Sequence, residues 1–236
     1  MAHKKLFRFE AIKAFSNVLQ YPENMPGNWN KIFRNEHPIT LELGCGRGEY
    51  TVELAKLYPN RNFIGVDLKG NRLYIGANQC LQANIQNAAF LRTQIDKIHT
   101  YFNPLEVQEI WVTFPDPHLR RSKAKKRLTH PKFLRLYQQI LSPGGFIHLK
   151  TDSPEFYEFT KLVIDLYGLR WYEDYDDALS DISIKDELKI RTHYERLDIA
   201  GSNRIHYLQF SLPSSALPDL DALLQERLKG YEEEIN

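Results

Sequence analysis

A short apolar run that breaks into three alternating glycines constrains the fold of this chain more than any other feature. Residues 39–43 are apolar apart from Thr40 and Glu42, and glycines follow at positions 44, 46 and 48. The run predicts a strand buried on both faces, and the apolar spacing over residues 49–57 predicts a helix directly after the glycines. Such a strand–turn–helix unit lets a ligand approach bare backbone at a helix N-terminus.

The residues around this turn indicate which ligand it holds. The spacing is G-x-G-x-G, whereas dinucleotide-binding turns have G-x-G-x-x-G, and Glu42 would repel a pyrophosphate. A carboxylate there suits a cationic ligand, such as one with an amino group or a sulfonium. About 19 residues after Gly48, a second apolar run ends in Asp67, correctly placed to accept both hydroxyls of an unphosphorylated ribose. The two acids together resemble the S-adenosylmethionine site of class I methyltransferases.

Length and composition favour one α/β domain with small extensions. The chain has 236 residues, a net charge of +1 and two cysteines, Cys45 and Cys80, without C-x-x-C spacing. This cysteine usage indicates a reducing compartment and no structural zinc, so we expect a cytoplasmic protein. Nowhere do 18 apolar residues run together, so we expect no membrane association.

The chain divides into three parts by pattern. We interpret residues 1–38 as an N-terminal arm, with helical spacing of apolar residues over 7–19, and residues 39–213 as the catalytic domain. Residues 214–236 predict an amphipathic helix packed on that domain. Residues 174–183, which are acidic and lack apolar periodicity, predict an exposed loop.

A second site feature follows the predicted fourth strand, residues 109–114. The strand runs into Pro115-Asp116-Pro117, which holds a carboxylate rigidly between two prolines. In a doubly wound sheet this strand end lies beside the glycine turn, where substrate chemistry is generally done. Six cations then fall within eight residues: Arg120, Arg121, Lys123, Lys125, Lys126 and Arg127. A solvated charge run is the ordinary interpretation, but the position beside Asp116 favours a polyanionic substrate.

Several motifs in order resemble the tRNA (guanine-N7-)-methyltransferase family. They are the Glu42 to Gly48 turn, Phe114-Pro115-Asp116-Pro117, the basic run, Lys150-Thr151-Asp152 and Thr192-His193-Tyr194-Glu195. The resemblance covers roughly residues 35 to 212. It implies transfer of a methyl group from S-adenosyl-L-methionine to N7 of a guanine in the tRNA variable loop, leaving S-adenosyl-L-homocysteine, without a metal. It also implies a doubly wound, mostly parallel, seven-stranded Rossmann-like sheet with helices on both faces and an antiparallel last hairpin.

The motifs also suggest individual roles. We expect cofactor contacts from Glu42, Gly44, Gly46, Asp67, Gln94 and Asp116. We expect substrate contacts from Arg120, Asp152, Thr192, Tyr194 and Glu195, and RNA phosphate contacts from Arg121, Lys123, Lys125, Lys126 and Arg127. Asp116 is the catalytic candidate, because a fixed carboxylate stabilises charge that migrates to the purine as N7 is methylated.

Some alternatives stay open at this point. Gln94 stands where the family has an acid for the adenine amino group, and Asp96 could serve instead. Asp152 and Glu195 could accept hydrogen bonds from guanine, or could pair with Lys150 or Arg191. The partner is tRNA, and the protein would be a monomer or a homodimer. The rival functions are a small-molecule N- or O-methyltransferase, a non-catalytic RNA-binding protein on the same fold and, least supported, an NAD(P) oxidoreductase.

Overall fold

One mixed β-sheet organises the molecule. A computed structural model of the chain describes residues 2–180, 183–193, 195–197, 201 and 204–234. Within these residues the sheet has eight strands: β1 (Val18–Gln20), β2 (Ile39–Leu43), β3 (Asn62–Asp67), β4 (Ala88–Arg92), β5 (Val107–Thr113), β6 (Leu141–Thr151), β7 (Arg170–Tyr175) and β8 (His206–Ser211). Their order is β1-β4-β3-β2-β5-β6-β8-β7. β8 runs antiparallel to β6 and to β7, and the pairs from β1 to β6 are parallel.

Helices connect the strands. They are α1 (Ala2–Ala11), α2 (Trp29–Phe33), α3 (Glu49–Leu57), α4 (Gly70–Gln82), α5 (Pro131–Gln138), α6 (Pro154–Leu166), α7 (Asp186–Lys189) and α8 (Asp221–Glu234). Short 3-10 helices lie at Ile12–Ala14, Ile95–Thr100, Arg121–Lys126 and Glu195–Leu197.

The hydrophobic core has two parts, one on each face of the sheet. Phe63 belongs to one buried cluster and its neighbour Ile64 to the other, because successive side chains of a strand point to opposite faces. Both residues are almost fully buried, at 2% and 0% exposure. The predicted α/β class with an antiparallel last hairpin is confirmed.

The predicted number of strands is wrong by one. We expected seven strands, and in the described part of the chain there are eight, because β1 pairs in parallel with the edge strand β4. The predicted helical segment 7–19 is helical as far as Ala14, in α1 and the 3-10 helix that follows it, whereas Val18 and Leu19 belong to β1 and Val18 lies opposite Phe90. The local spacing there is compatible with a helix, and pairing with a distant strand overrides it.

The predicted exposed loop at residues 174–183 is also shorter than expected. Asp174 and Tyr175 belong to β7, and the Ala178 side chain is fully buried. The Ala178 N–H donates to the Ile205 carbonyl at 2.6 Å, which extends contact between the segments beyond the strands. Residues 181 and 182 lie outside the described residues.

The segments at both ends of the chain pack against the sheet domain. Trp29 is fully buried, donates from Nε1 to the Tyr101 carbonyl at 2.9 Å and stacks on Phe102. At the other end, Leu224 of α8 is fully buried in one of the two core clusters. The Asp221 carboxylate, at the start of α8, accepts hydrogen bonds from Arg135 and Tyr167. No helix in the described residues has the length and apolar character needed to span a membrane.

Candidate active site

The candidate site lies at the carboxyl edge of the sheet. β2 to β6 run parallel, so the residues that follow each of them meet at one edge. The glycine turn follows β2, Asp67 ends β3, Gln94 comes shortly after β4, Asp116 follows β5 and Asp152 follows β6. The fold therefore gathers three acids and one amide that are separated by up to 85 positions in sequence, from Asp67 to Asp152.

The glycine turn has the backbone that its sequence predicts. Gly44 and Gly48 have φ angles of 74° and 71°, in the left-handed region that favours glycine. A Cβ at Gly48 would lie 2.3 Å from the Phe90 ring, so this position packs tightly against β4. A Cβ at Gly44 would meet only Leu128, at 3.6 Å, so this side of the turn is open to a ligand.

Glu42 lies buried beneath the turn at 3% exposure. One carboxylate oxygen accepts from the Thr51 N–H at 2.8 Å and from the Thr51 hydroxyl, and the other accepts from the Thr113 hydroxyl at 2.7 Å. Burial raises the pKa of Glu42 to about 7, although these hydrogen bonds act in the opposite direction. The carboxylate thus joins β2, α3 and the end of β5.

Asp67 fixes the other side of the turn. Its carboxylate accepts from the Gly46 N–H at 3.0 Å and from the Lys69 N–H at 2.7 Å. The two backbone donors hold the carboxylate at the end of β3, and an ionised carboxylate has further lone pairs for hydroxyl groups.

A cavity of about 520 Å³ opens beside these residues. Its lining includes Gly44, Asp67 and Gln94 together with the apolar side chains of Leu68, Ile95 and Phe133. The cavity is large enough for a nucleoside-sized ligand.

Charged groups lie at the mouth of the same cavity. Asp96 forms an ion pair with Lys132 there, and both residues are about half exposed. Lys125 and Lys126 of the basic run also line the cavity. Since Asp96 already has a cationic partner, Gln94 is the better placed of the two candidates for a neutral ligand group.

Asp116 stands in the open at the end of β5. Its side chain is 75% exposed, and it accepts from the His118 N–H at 3.2 Å. Phe114 and His118, on either side, have φ angles of 45° and 44°. Non-glycine residues rarely adopt this conformation. It persists where the surrounding structure holds the residue in place, and such residues cluster at functional sites.

The structure separates Arg127 from the other five cations of the basic run. Arg127 is 5% exposed and donates to the carbonyls of Pro117, His118 and Leu119 at 3.0–3.2 Å. Its guanidinium also lies 4.4 Å from the Phe159 ring centre. The expected phosphate contact therefore does not fit Arg127, which supports the loop after Asp116 from within.

The remaining members of the run lie at the surface. Arg120, Lys123, Lys125 and Lys126 are exposed, and Arg121 is half-buried. They belong to or flank the 3-10 helix Arg121–Lys126, which begins five residues after Asp116.

The last motif lies in the segment between β7 and β8. Thr192 is buried and its hydroxyl accepts from the Glu195 N–H at 3.2 Å. Glu195 forms an ion pair with Lys150 at 3.1 Å and lies 3.9 Å from Arg191, so the pairing weighed as an alternative is present. Asp152 is half-buried at the end of β6. Tyr194 lies outside the described residues.

Sequence reasoning missed two hydroxyl groups that support the site. Thr51 and Thr113 donate hydrogen bonds to the Glu42 carboxylate, but the sequence does not show which residue a threonine hydroxyl will bind. A signal for Thr113 existed, because it is a polar residue at the end of an apolar strand that leads directly into Asp116.

Sequence comparison identifies the family of the chain. The family model described as "Putative methyltransferase" matches residues 36–206. A tRNA (guanine-N(7)-)-methyltransferase of Porphyromonas gingivalis is 46% identical over 213 residues, covering 85% of this chain and 86% of the relative. The chain belongs to the tRNA (guanine-N7-)-methyltransferase family. A second tRNA (guanine-N(7)-)-methyltransferase, from Bacteroides thetaiotaomicron, is 42% identical and covers 94% of this chain and 92% of its own length.

Solved structures agree on the fold of this tRNA (guanine-N7-)-methyltransferase family member. The 16S rRNA methyltransferase KamB superimposes with a TM-score of 0.61 at 15% identity, covering 84% of this chain and 99% of its own. A 16S rRNA (adenine(1408)-N(1))-methyltransferase variant from Catenulisporales acidiphilia, solved with the cosubstrate SAM, gives a TM-score of 0.53 at 15% identity, covering 80% and 91%. At this identity the likeness shows the fold alone, and it confirms the Rossmann-like methyltransferase architecture.

Proposed function

We propose that this protein methylates N7 of a guanine in the variable loop of tRNA, with S-adenosylmethionine as the donor. The observation that carries the proposal is made at one edge of the sheet. There the glycine turn and Asp67 border a cavity, and the exposed Asp116 carboxylate and a basic surface lie beside it. A relative named for this reaction is 46% identical to the chain over 85% of its length. A small-molecule methyltransferase would have no use for the basic surface.

The residues present fit S-adenosylmethionine. The open side of Gly44 lets a ligand lie against the backbone, and Asp67 keeps lone pairs for the two ribose hydroxyls. Leu68, Ile95 and Phe133 offer apolar surface to an adenine ring, and Gln94 offers a hydrogen bond to its amino group. Glu42 is buried beneath the glycine turn, and its hydrogen bonds with Thr51 and Thr113 hold β2, α3 and β5 together there.

The chemistry asks for positioning more than for proton transfer. N7 of guanine is a lone-pair nucleophile without a proton, so no general base is required. When bound, S-adenosylmethionine supplies an electrophilic methyl group on a positively charged sulfur. Positive charge passes to the purine during transfer, and we assign Asp116 to stabilise that charge by its fixed carboxylate. Alignment of the nucleophile with the methyl group supplies much of the remaining rate.

We assign the selection of guanine to carboxylates of the protein that accept hydrogen bonds from its N1–H and its amino group. Asp152, half-buried directly after β6, is one of the two proposed acceptors. Glu195 has one oxygen paired with Lys150. The other, Oε1, is buried, lies 3.9 Å from Arg191 Nε and has no hydrogen-bond partner among the described residues. A buried acceptor without a donor is unfavourable, and a guanine N–H would supply one. Thr192, Tyr194 and Arg120 complete the proposed substrate contacts.

The exposed cations of the basic run are assigned to RNA phosphates. Arg121, Lys123, Lys125 and Lys126 would contribute affinity without reading sequence. The proposed substrate, together with two free buried cysteines, Cys45 and Cys80, supports a cytoplasmic location.

A methyl-transfer assay tests the proposal. Purified protein is incubated with labelled S-adenosylmethionine and unmodified tRNA, and the product nucleosides are identified by mass spectrometry. We expect 7-methylguanosine at a single variable-loop position, with a matched tRNA carrying adenine at that position unmethylated. Binding of the donor without transfer to RNA would contradict the proposal and favour a small-molecule acceptor.

A further inference from the structure

Lys150 is a buried cation at the edge of the proposed active site. It is the penultimate residue of β6 and its side chain is 0% exposed. An ammonium group is rarely buried unless its charge and its N–H donors are satisfied by specific partners. The partners of Lys150 therefore indicate what the residue does.

The Lys150 ammonium is held by groups from the segment between β7 and β8. Nζ donates to the Ile190 carbonyl at 2.7 Å and to Glu195 Oε2 at 3.1 Å. It also lies 5.5 Å from the ring centre of Tyr50 and 5.4 Å from that of Phe114, within range of cation–π attraction. Burial lowers the pKa of Lys150, and the nearby Glu195 carboxylate acts against that shift.

The backbone of Lys150 reaches the other side of the site. Its carbonyl accepts from the Phe114 N–H at 2.8 Å, and Phe114 is two residues before Asp116. One residue therefore contacts both the loop that carries the proposed catalytic carboxylate and the segment that carries Thr192 and Glu195.

The helix after the glycine turn holds the same segment from a second direction. The Tyr50 hydroxyl donates to the Glu187 carbonyl at 2.5 Å, and the Glu49 carboxylate accepts from the His193 N–H at 2.5 Å. Residues 187–193 and Glu195 thus lie between α3, which begins directly after the glycine turn, and the end of β6.

We infer that Lys150 is a positioning residue: it anchors Ile190 and Glu195 to the end of β6 and to the loop that carries Phe114 and Asp116. It thereby sets where Thr192 and Glu195 stand for the incoming guanine. The anchoring is a property of the free protein, whereas its effect on catalysis rests on the proposed function. A hydrophobic side chain of similar volume would fill the space but leave the Ile190 carbonyl and the Glu195 carboxylate without their donor.

The test combines hydrogen exchange with kinetics on Lys150→Met, Glu195→Gln and the double variant. In the free protein we expect amide exchange in peptides covering 187–191 to quicken by about tenfold or more in Lys150→Met. We expect kcat/KM for tRNA to fall by about tenfold or more, while the Kd for S-adenosylmethionine stays within about twofold. The matched control is Lys189→Met, which removes an exposed lysine of the same segment from its pair with Asp186. It should leave exchange and kinetics unchanged.

The double variant separates positioning through Glu195 from general destabilisation. If Lys150 acts through Glu195, the double variant should lose no more kcat/KM than the more harmful single variant. If the two residues act independently, the two fold losses in kcat/KM should multiply. Should Lys150→Met not fold, Glu195→Gln removes the charge of the same pair from its less buried end and is judged by the same exchange measurement.

Two results would overturn the inference. One is unchanged exchange over 187–191 in both single variants, and the other is a multiplicative loss in the double variant. If the unaltered protein fails to methylate tRNA, the proposed function and the catalytic half of this inference fall together, and the exchange rates still decide the anchoring.

Discussion

The Thr113 hydroxyl donates to the buried Glu42 carboxylate at 2.7 Å, and this bond joins the strand before the glycine turn to the strand that leads into Asp116. The other Glu42 oxygen binds the first turn of α3 through Thr51. The parts of the site proposed to hold the donor and to stabilise the transferred charge are therefore braced against one another before any ligand arrives.

Replacing Glu42 with Gln should change how stability depends on pH. The folded protein raises the pKa of Glu42 from 4.5 to about 7, so between these values it retains a proton that the unfolded chain releases. Stability from this group is thus present at low pH and is lost as pH rises through the window, by on the order of 3 kcal/mol. Urea unfolding at pH 5 and at pH 8 gives the free energy of unfolding of the unaltered protein and of Glu42→Gln. The difference between the two proteins should change between these pH values by this amount. A difference that does not vary with pH would contradict the prediction.

Replacing Asp116 with Asn should lower kcat on the order of a hundredfold, because the charge that stabilises the cationic purine is removed. The Kd for S-adenosylmethionine should change by less than about threefold, since the exposed side chain supports no buried structure. Single-turnover kinetics and cofactor titration measure the two quantities. Asp96→Asn, at the same edge of the sheet, is the matched control and should keep kcat. An unchanged rate in Asp116→Asn would remove the catalytic assignment.

Gln94 and Asp96 can be distinguished by cofactor binding. Gln94→Ala should raise the Kd for S-adenosylmethionine about fivefold to tenfold, the effect of losing one hydrogen bond. Asp96→Asn should change it less than about twofold, because the Asp96 carboxylate is engaged by Lys132. Calorimetric titration provides both constants, and a larger effect at Asp96 would reverse the assignment.

The basic surface predicts a salt-dependent affinity for tRNA. Lys123→Gln should weaken binding and reduce the slope of log K against log salt by about 0.7–0.9, as expected for one lost phosphate contact. Lys56→Gln is the control, because Lys56 is a similarly exposed lysine in the last turn of α3, at the opposite edge of the sheet. Equal slopes for the two variants would show that the run is a solvated surface.

Arg127 should behave differently from its neighbours in the run. Arg127→Met leaves the carbonyls of Pro117, His118 and Leu119 without their donor, so the free energy of unfolding should fall by about 2–3 kcal/mol. Arg127→Lys should restore little, because an ammonium cannot reproduce the planar fork that reaches three acceptors. Thermal unfolding measures both variants. Normal stability in Arg127→Met would contradict this structural role of Arg127.

Much of the fold could be predicted from the sequence because its signals are local. Alternating glycines after an apolar strand and an acid at the end of the next strand need only neighbouring residues to be recognised. The strand β1 could not be found this way, since Val18 and Leu19 become a strand only by pairing with Phe90 and Leu91, more than 70 positions away. Its local pattern fits a helix equally well.

The roles of individual site residues were harder to predict where they depend on contacts between residues that are distant in sequence. The sequence marks Arg127 as one of six similar cations, and only packing against Phe159 and three carbonyls distinguishes it. The pairing of Glu195 with Lys150 is likewise set by the path of the chain between β7 and β8. Charge and spacing identify which residues gather at the edge, but burial decides which of them remain available to a ligand.

The reversed direction of β8 has a consequence for how such proteins can diversify. Tyr175 at the end of β7 lies opposite Tyr207 at the start of β8, so the segment between them leaves and rejoins the sheet at the carboxyl edge. Among the described residues, the strand pairs of the sheet include none between Tyr175 and His206, so the length of this connection is not set by the ladder. The connection that carries the proposed guanine contacts can therefore vary in length independently of β2, β3 and β4, whose ends form the proposed donor site.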